Sequence, residues 1–395
     1  MRHLVVSTRW QSHSIVICWR RLIQNIQLKS GLAEVFGTEI VKGKVYSFGG
    51  GSKIAVFTWQ GCLLELRGKT EAAYVARETP MIIYLNTHAG LEQIRKKADA
   101  DKTKRGPIAM IIGPTDVGKS TVCKLLLNYA VRMGRRDNFP FHALLVQWQL
   151  NVLLMLKKDF PKTGSNVMLY NLLVTKLAQT VAERMEANRQ NAVSRVIINT
   201  CGWVKGQGYQ MLIHAAKAFE VDLIIVLDQE RLYNELVRDL PETVKVVFQP
   251  KSGRVVERSR QARVESRDQK IREYFYGSAA QFYPHSFEVR FSDVKIFKIG
   301  APALPDSLMP LGMKAEDQLT KLVTVQPSQQ LLHHLISISM AESGEDDIIQ
   351  TNVTGFICVN NVDLERQMLT VLSPQPRPLP RTRLLLSDIQ YMDSH

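Results

Sequence analysis

The stretch Gly113-Pro-Thr-Asp-Val-Gly-Lys-Ser-Thr121, GPTDVGKST, satisfies G-x-x-x-x-G-K-[ST] without a gap. Each fixed position has a physical reason. Gly113 and Gly118 permit the tight turns that aim backbone N–H groups at a phosphate, Lys119 brings a cation to the β and γ phosphates, and the Ser120 hydroxyl reaches magnesium. The surroundings are those such a loop needs. IAMIIG before it is an apolar run, and STVCKLLLNYAVRM after it keeps helical periodicity up to Gly134. A helix starting at the loop adds the positive end of its dipole. The alternative, a chance Gly-rich turn, leaves that strand and helix unexplained, so the stretch is read as a nucleotide site.

Further apolar runs at Val196 to Ile198 and Leu223 to Leu227 read as buried strands separated by helical segments such as YQMLIHAAKAF. An α/β layer with a largely parallel sheet follows. Upstream, from about Gln27 to Leu85, the chain reads as short β segments, among them KVYSF, KIAVFTW, CLLELRG and MIIYLN, separated by turn-like stretches such as FGGGS. A connecting helix is expected over LEQIRKKADADKTKRG, with Leu91 and Ile94 at i, i+3 spacing. After Gly277 the texture turns to FEVRF, VKIFKIG, TGFICVN and LTVL, a β-rich domain in which PQPRPLP is read as a stiff link between strands. The expected organisation is a divergent segment 1–26, a small β domain with its connecting helix 27–103, a P-loop kinase-like domain 104–277 and a β-rich domain 278–395.

Of the 395 residues, 45% are hydrophobic and 22% charged, an ordinary globular balance. The 51 Lys and Arg against 37 Asp and Glu leave a formal charge of +14, which suits either solubility or a polyanionic partner such as nucleic acid. Five scattered cysteines, Cys18, Cys62, Cys123, Cys201 and Cys358, never stand at metal-ligand spacing and favour a reducing compartment. No apolar run approaches the roughly 18 residues of a membrane span. The opening carries Arg2, Arg9, Arg20 and Arg21 with no acid before Glu34, and is read as an unusual start rather than a mitochondrial presequence.

Phosphoryl transfer also needs an acid to place metal or take the nucleophile's proton, usually an Asp ending a neighbouring strand. Just after the first helix only Asp137 and Asp159 are present, neither ending a convincing strand. Asp228 does end an apolar run; it is read first as the cap of the helix Gln229 to Arg238 and second as a metal-facing carboxylate. In INTCGWVKGQGY, Asn199, Thr200 and Trp203 follow a strand, where ligands gather in such sheets. Trp203 either stacks a base or packs inside. The basic run from Lys251 to Arg272, which includes Arg258 and Arg263, is either a solvated helix face or a flap that neutralises charge on a transferred phosphoryl group.

Taken together, GPTDVGKSTVCKLLLNYAVRMGRR, INTCGWVKGQGYQMLIHAAKAFEVD, VLDQERLYNELVRDLP and VVERSRQARVESRDQKIREYFYG resemble the eukaryotic polyribonucleotide 5′-hydroxyl kinase family, subunits of the pre-mRNA cleavage and polyadenylation machinery. The likeness extends from about Gln27 to the C-terminal LSPQPRPLP. It implies an N-terminal β domain that contributes to ATP recognition, a P-loop kinase domain and a C-terminal β-rich domain. It carries ATP binding onto Lys53, Asp116, Val117, Gly118, Lys119, Ser120 and Thr121, base stacking onto Trp203, and an arginine lid onto Arg258 and Arg263. It implies ATP and Mg2+ as cofactors and a nuclear location. It also implies RNA, cleavage-complex subunits and the tRNA splicing endonuclease as partners, and either an ATP-binding cleavage subunit or an active RNA 5′-hydroxyl kinase.

Two departures qualify the activity. The family's acidic strand E-L-D-V-G-Q-G, whose Asp is the expected base and metal-site residue, is replaced by residues 137–162, and the family's first strand, with an ATP-contacting Glu, has no counterpart in residues 1–26. A missing exon and an inactive variant account for both equally. ATP binding is therefore expected more firmly than turnover.

Overall fold

The computed structural model describes residues 3–7, 13–19, 24–48, 53–68, 70–76, 79–134, 166–252, 258–278, 280–301, 317–342 and 348–392. The chain divides into two compact units, Met1–Phe141 with Val181–Glu257, and His142–Thr180 with Arg258–His395. Residues 137–162, where the acidic strand is expected, lie outside the described residues.

The first unit begins with β1 (His3–Ser7), β2 (His13–Trp19), β3 (Gln24–Gly31), β4 (Glu34–Val35), β5 (Thr38–Glu39), β6 (Val45–Phe48), β7 (Lys53–Thr58), β8 (Cys62–Arg67) and β9 (Thr70–Ala76). They make two antiparallel sheets, ordered β1-β8-β3-β6 and β5-β4-β7-β2-β9. Side chains alternate between the two faces of a strand, so Cys62, Leu64 and Leu66 of β8 meet Ile26, Leu28, Ile54 and Val56 in the core of a sandwich. The segment 1–26, set apart in the sequence reading, supplies β1 and β2, which pair with β8 and with β7 and β9.

MIIYLN, expected as a strand, is instead the first turns of α1 (Met81–Ala100). A short apolar run carries no decisive period by itself, and its continuation decides: Met81, Tyr84, His88, Leu91, Arg95 and Ala98 are buried at helical spacing. Of the Leu91 and Ile94 pair at i, i+3 spacing, Leu91 is buried and Ile94 is 41% exposed.

The P-loop region follows as β10 (Ala109–Ile112), α2 (Lys119–Arg132), α3 (Val167–Glu186), whose residues up to Thr180 fall in the second unit, α4 (Arg189–Ser194), β11 (Ile197–Asn199), α5 (Gln207–Ala218), β12 (Leu223–Leu227), α6 (Glu230–Asp239) and β13 (Lys245–Gln249). The sheet is parallel, ordered β11-β10-β12-β13, with Met110 opposite both Ile198 and Ile224. Ala109, Met110, Ile111 and Ile112 are all buried, as a central parallel strand covered on both faces requires. Phe57 of β7, Met81, Tyr84 and Leu91 of α1, and Val122, Leu125, Leu126 and Tyr129 of α2 share one core with Ile111 and Ile225. The sandwich, α1 and the sheet are thereby packed together.

The second unit contains α7 (Arg260–Tyr276), β14 (His285–Arg290), β15 (Lys295–Ile299), α8 (Asp317–Thr320), β16 (Leu322–Val325), β17 (His334–Ser339), β18 (Val353–Asp363), β19 (Met368–Ser373) and β20 (Arg383–Gln390). Its strands form one sheet, β14-β19-β18-β17-β20-β15-β16, antiparallel except between β15 and β20. Ile271 and Phe275 anchor the C-terminal half of α7 on this sheet, with the Phe275 ring stacked 6.1 Å from Tyr391. The observed architecture is the expected one: an N-terminal β sandwich, a central parallel P-loop sheet and a C-terminal β-rich sheet.

Candidate nucleotide site

Between β10 and α2 the loop takes the shape its glycines allow. Gly118 sits at φ 93, a left-handed conformation that a side chain disfavours, and Asp116 is also left-handed at φ 60. A Cβ on Gly113 would come within 2.9 Å of the Leu227 carbonyl oxygen and 3.0 Å of Val117 Cγ2, so only glycine lets the loop pass this close to the end of β12. Val117 is buried below and holds the turn. Lys119 is 8% exposed, and its Nζ donates to the Gly113 carbonyl at 2.7 Å and the Pro114 carbonyl at 2.5 Å. Its cation is thus folded back over the loop that precedes it. Ser120 and Thr121 lie in the first turn of α2, and the Thr121 N–H donates to the Gly118 carbonyl at 2.9 Å.

The end of β11 supplies the second wall. Asn199 Nδ2 donates to Ser120 Oγ at 3.0 Å, and the Thr200 hydroxyl donates to the Ile111 carbonyl at 2.7 Å. A Cβ on Gly202 would lie 2.6 Å from Thr115 N, and a Cβ on Gly208 would lie 2.5 Å from Trp203 Cβ. The two glycines let the CGW turn lie directly on the phosphate loop and let α5 brace Trp203, which remains half-buried. Burial pushes the Cys201 thiol up in the same turn.

At the third wall the structure corrects the preferred role of Asp228. Helix α6 starts after Gln229 with no side-chain cap, so Asp228 is not its cap. Asp228 turns out of β12 at φ 57, donates its N–H to the Gln249 carbonyl at 3.0 Å, and pairs its carboxylate with Lys251 Nζ at 2.5 Å. Burial, and then the Asp228 charge, push the Tyr84 phenol up to about 12; its hydroxyl donates to the Pro250 carbonyl at 3.1 Å. Lys251, counted in the sequence with the arginine-rich run, belongs by contact to this carboxyl edge of the sheet.

Three other expected residues belong to other elements. Lys53 is exposed at the start of β7 in the sandwich. Arg258 and Arg263 are exposed in the second unit, where Ser259 caps α7 by accepting from the Ala262 N–H at 3.1 Å. Among the described residues no group of three or more His, Cys, Asp or Glu is arranged to hold a metal ion, and no helix is long and apolar enough to cross a membrane.

Comparison with known proteins identifies the scaffold. The family model described as mRNA cleavage and polyadenylation factor CLP1 P-loop matches residues 113–139 and 160–277. The model for pre-mRNA cleavage complex II protein Clp1 matches 282–393, and that for the N-terminal beta-sandwich domain of polyadenylation factor matches 20–98. A protein CLP1 homolog of Culex quinquefasciatus is 55% identical over 392 residues, covering 94% of this chain and 92% of that one.

The chain belongs to the Clp1 family.

The polyribonucleotide 5′-hydroxyl-kinase Clp1 of Gallus gallus is 54% identical over 390 residues, covering 93% of this chain and 92% of the relative. Its namesake in Homo sapiens is 52% identical over 394 residues, covering 94% and 92%. The fold matches Clp1p solved as a wild-type Clp1p–Pcf11p complex, at TM-score 0.78 and 21% identity over 100% of this chain and 99% of that one. A second Clp1p structure, described with its Pcf11p interface and a glycine-to-arginine variant that loses ATP, matches at TM-score 0.77. The Clp1 P-loop match is interrupted between residues 139 and 160, within the stretch where the sequence departs from the family's acidic strand.

Proposed function

We propose that this Clp1-family chain is a nuclear ATP-binding subunit of the pre-mRNA 3′-end cleavage and polyadenylation machinery, required for endonucleolytic cleavage before polyadenylation. The phosphate loop carries the reading. Gly118 in its left-handed turn, the close pass of Gly113 over β12 and the Lys119 cation above the loop carbonyls form a cradle for phosphates. The loop from Asp116 to Thr121, with the Lys119 cation, would hold ATP, Lys53 would meet it from the sandwich, and the Ser120 hydroxyl would reach Mg2+. Bound at this cradle, ATP supplies native-state stabilisation by mass action without any chemistry. Pcf11, the partner of the Clp1p neighbours, is the model for this chain's own contacts in the cleavage complex, and the domains divide near residues 103 and 277.

A second reading is favoured by one observation: the Trp203 turn lies against Thr115 of the phosphate loop, where a stacked RNA base would stand beside the γ-phosphate. The chain is then an active polynucleotide 5′-hydroxyl kinase acting on RNA, including tRNA splicing intermediates, with the tRNA splicing endonuclease as a partner. Lys119 would steady the phosphates, Trp203 would grip the base, and Arg258 and Arg263 would close over the transferred charge. Of the described carboxylates, Asp228 ends the strand beside the loop, yet Lys251 already neutralises it. Incubation with γ-labelled ATP and a 5′-hydroxyl oligoribonucleotide separates the two readings. ATP binding without label transfer supports the first; label transfer at the rate of an active relative run alongside establishes the second.

A further inference from the structure

The β4–β5 hairpin, EVFGTE, is tied to the phosphate-loop helix by several independent contacts. Its turn residues Phe36 and Gly37 both have positive φ, 47 and 85, the geometry of a tight hairpin that matches strand twist. That turn is seated on α2: Asn128 Nδ2 donates to the Phe36 carbonyl at 2.7 Å, Lys124 Nζ stands 5.7 Å from the Phe36 ring centre, and a Cβ on Gly37 would meet Asn128 Cβ at 3.1 Å. Behind the turn, Glu34 is 4% exposed. It accepts a hydrogen bond from the Tyr129 hydroxyl and pairs with Arg132 at 3.1 Å, while Arg132 also reaches Glu39. A carboxylate this deeply buried is costly unless paired and hydrogen-bonded, and here its partners all come from one helix.

Both ends of this connection lead to the nucleotide site. α2 begins at Lys119, so the helix cannot shift without carrying the loop. Glu34 and Val35 are in register with Phe57 and Val56 of β7, the strand that begins at Lys53, about 13 Å away at roughly 3.3 Å per residue. We propose that the Glu34 hairpin is a positioning latch that fixes the sandwich, and Lys53 with it, against the phosphate loop so that both engage one nucleoside triphosphate. This rests on the ATP reading above and adds the residues that set its geometry. Glu34 and Tyr129 act through Lys53 and the loop and touch no ligand themselves. Without the latch the loop still takes phosphates, while the nucleoside side of the ligand loses its alignment with the sandwich.

The test uses two probes, ATP and inorganic tripolyphosphate, titrated into the full chain and into Glu34→Gln and Tyr129→Phe. Each variant is first checked by thermal melting, and Tyr129→Phe, which removes one oxygen, stands in if Glu34→Gln does not fold. ATP affinity is expected to fall about tenfold in either variant while tripolyphosphate affinity stays within about twofold. Adding Lys53→Ala should then weaken ATP no further, because coupled residues are non-additive. Unchanged ATP affinity, equal weakening of both probes, or full additivity with Lys53→Ala overturns the latch. A wild-type chain that binds neither probe overturns the ATP reading and the latch with it, an outcome distinct from failure of the latch alone.

Discussion

Gly202→Ala tests the contact between the CGW turn and the phosphate loop. The new Cβ would stand 2.6 Å from Thr115 N, 2.8 Å from Thr115 Cγ2 and 2.9 Å from Thr115 Cα. Ordinary contact begins at 3.4 Å, so the turn and the loop must separate by several tenths of an ångström, and backbone atoms cannot rotate out of the way as a side-chain tip can. Overpacking of this kind costs about 1–3 kcal/mol. If that cost falls on the loop's binding shape, ATP affinity drops by a factor of about 5 to 150. Isothermal titration with ATP and Mg2+ reads the affinity, and a urea melt shows how much of the cost falls on the ligand-free fold. Gly206→Ala is the control: Gly206 is at φ 55 but has nothing within 4 Å of its Cβ position, so it strains its own backbone and leaves the loop alone. Wild-type ATP affinity in Gly202→Ala, with no loss of stability, would refute the apposition of the two segments.

Gly90→Ala lies in the interior of α1 with open space around the added methyl, and should raise unfolding free energy by about 0.5–1 kcal/mol in a urea melt. Acid should destabilise the chain partly through His88. Burial lowers its folded pKa, with Glu92 opposing and Arg95 assisting, so the unfolded state binds the proton first and stability is lost as pH falls below the ordinary histidine value. His88→Gln should flatten the fall of melting temperature as pH drops below about 6.5, and an unaltered slope would show that other groups dominate. Burial likewise pushes the Cys123 thiol up to about 12, so native protein at pH 8 should leave Cys123 unalkylated until urea unfolds it, as peptide mapping would report.

The phosphate loop was legible because its chemistry restricts the residue at nearly every fixed position, and the strand before it and helix after it each carried their own period. The limits of Leu223–Leu227 were read from the sequence as they occur in the fold, since a central strand buried on both faces is a continuous apolar run. β13 was not read: it is the outer strand of its sheet, and only Gln249 among its residues is buried. MIIYLN misled because its five apolar residues fit either period until His88, Arg95 and Ala98 extend the helix face. The Glu34 hairpin was hidden for a different reason. Two-residue turns with two positive φ values favour Asn or Asp followed by Gly, and here Phe36 occupies the first place. Asp228 looked like a cap because Asp commonly is one. Its actual partner, Lys251, is distant in sequence and meets it only once β12 and β13 pair.

The central claim is that Lys119 and the loop around it hold ATP. Titration of ATP with Mg2+ into the wild-type chain and into Lys119→Ala tests it most directly. Removing a charge-assisted contact of about 1.5–3 kcal/mol should weaken binding by a factor of about 10 to 150. The account predicts saturable one-to-one binding in the wild type and that loss in the variant, with the fold retained. Equal affinity in the two proteins, or no binding by the folded wild type, would contradict it.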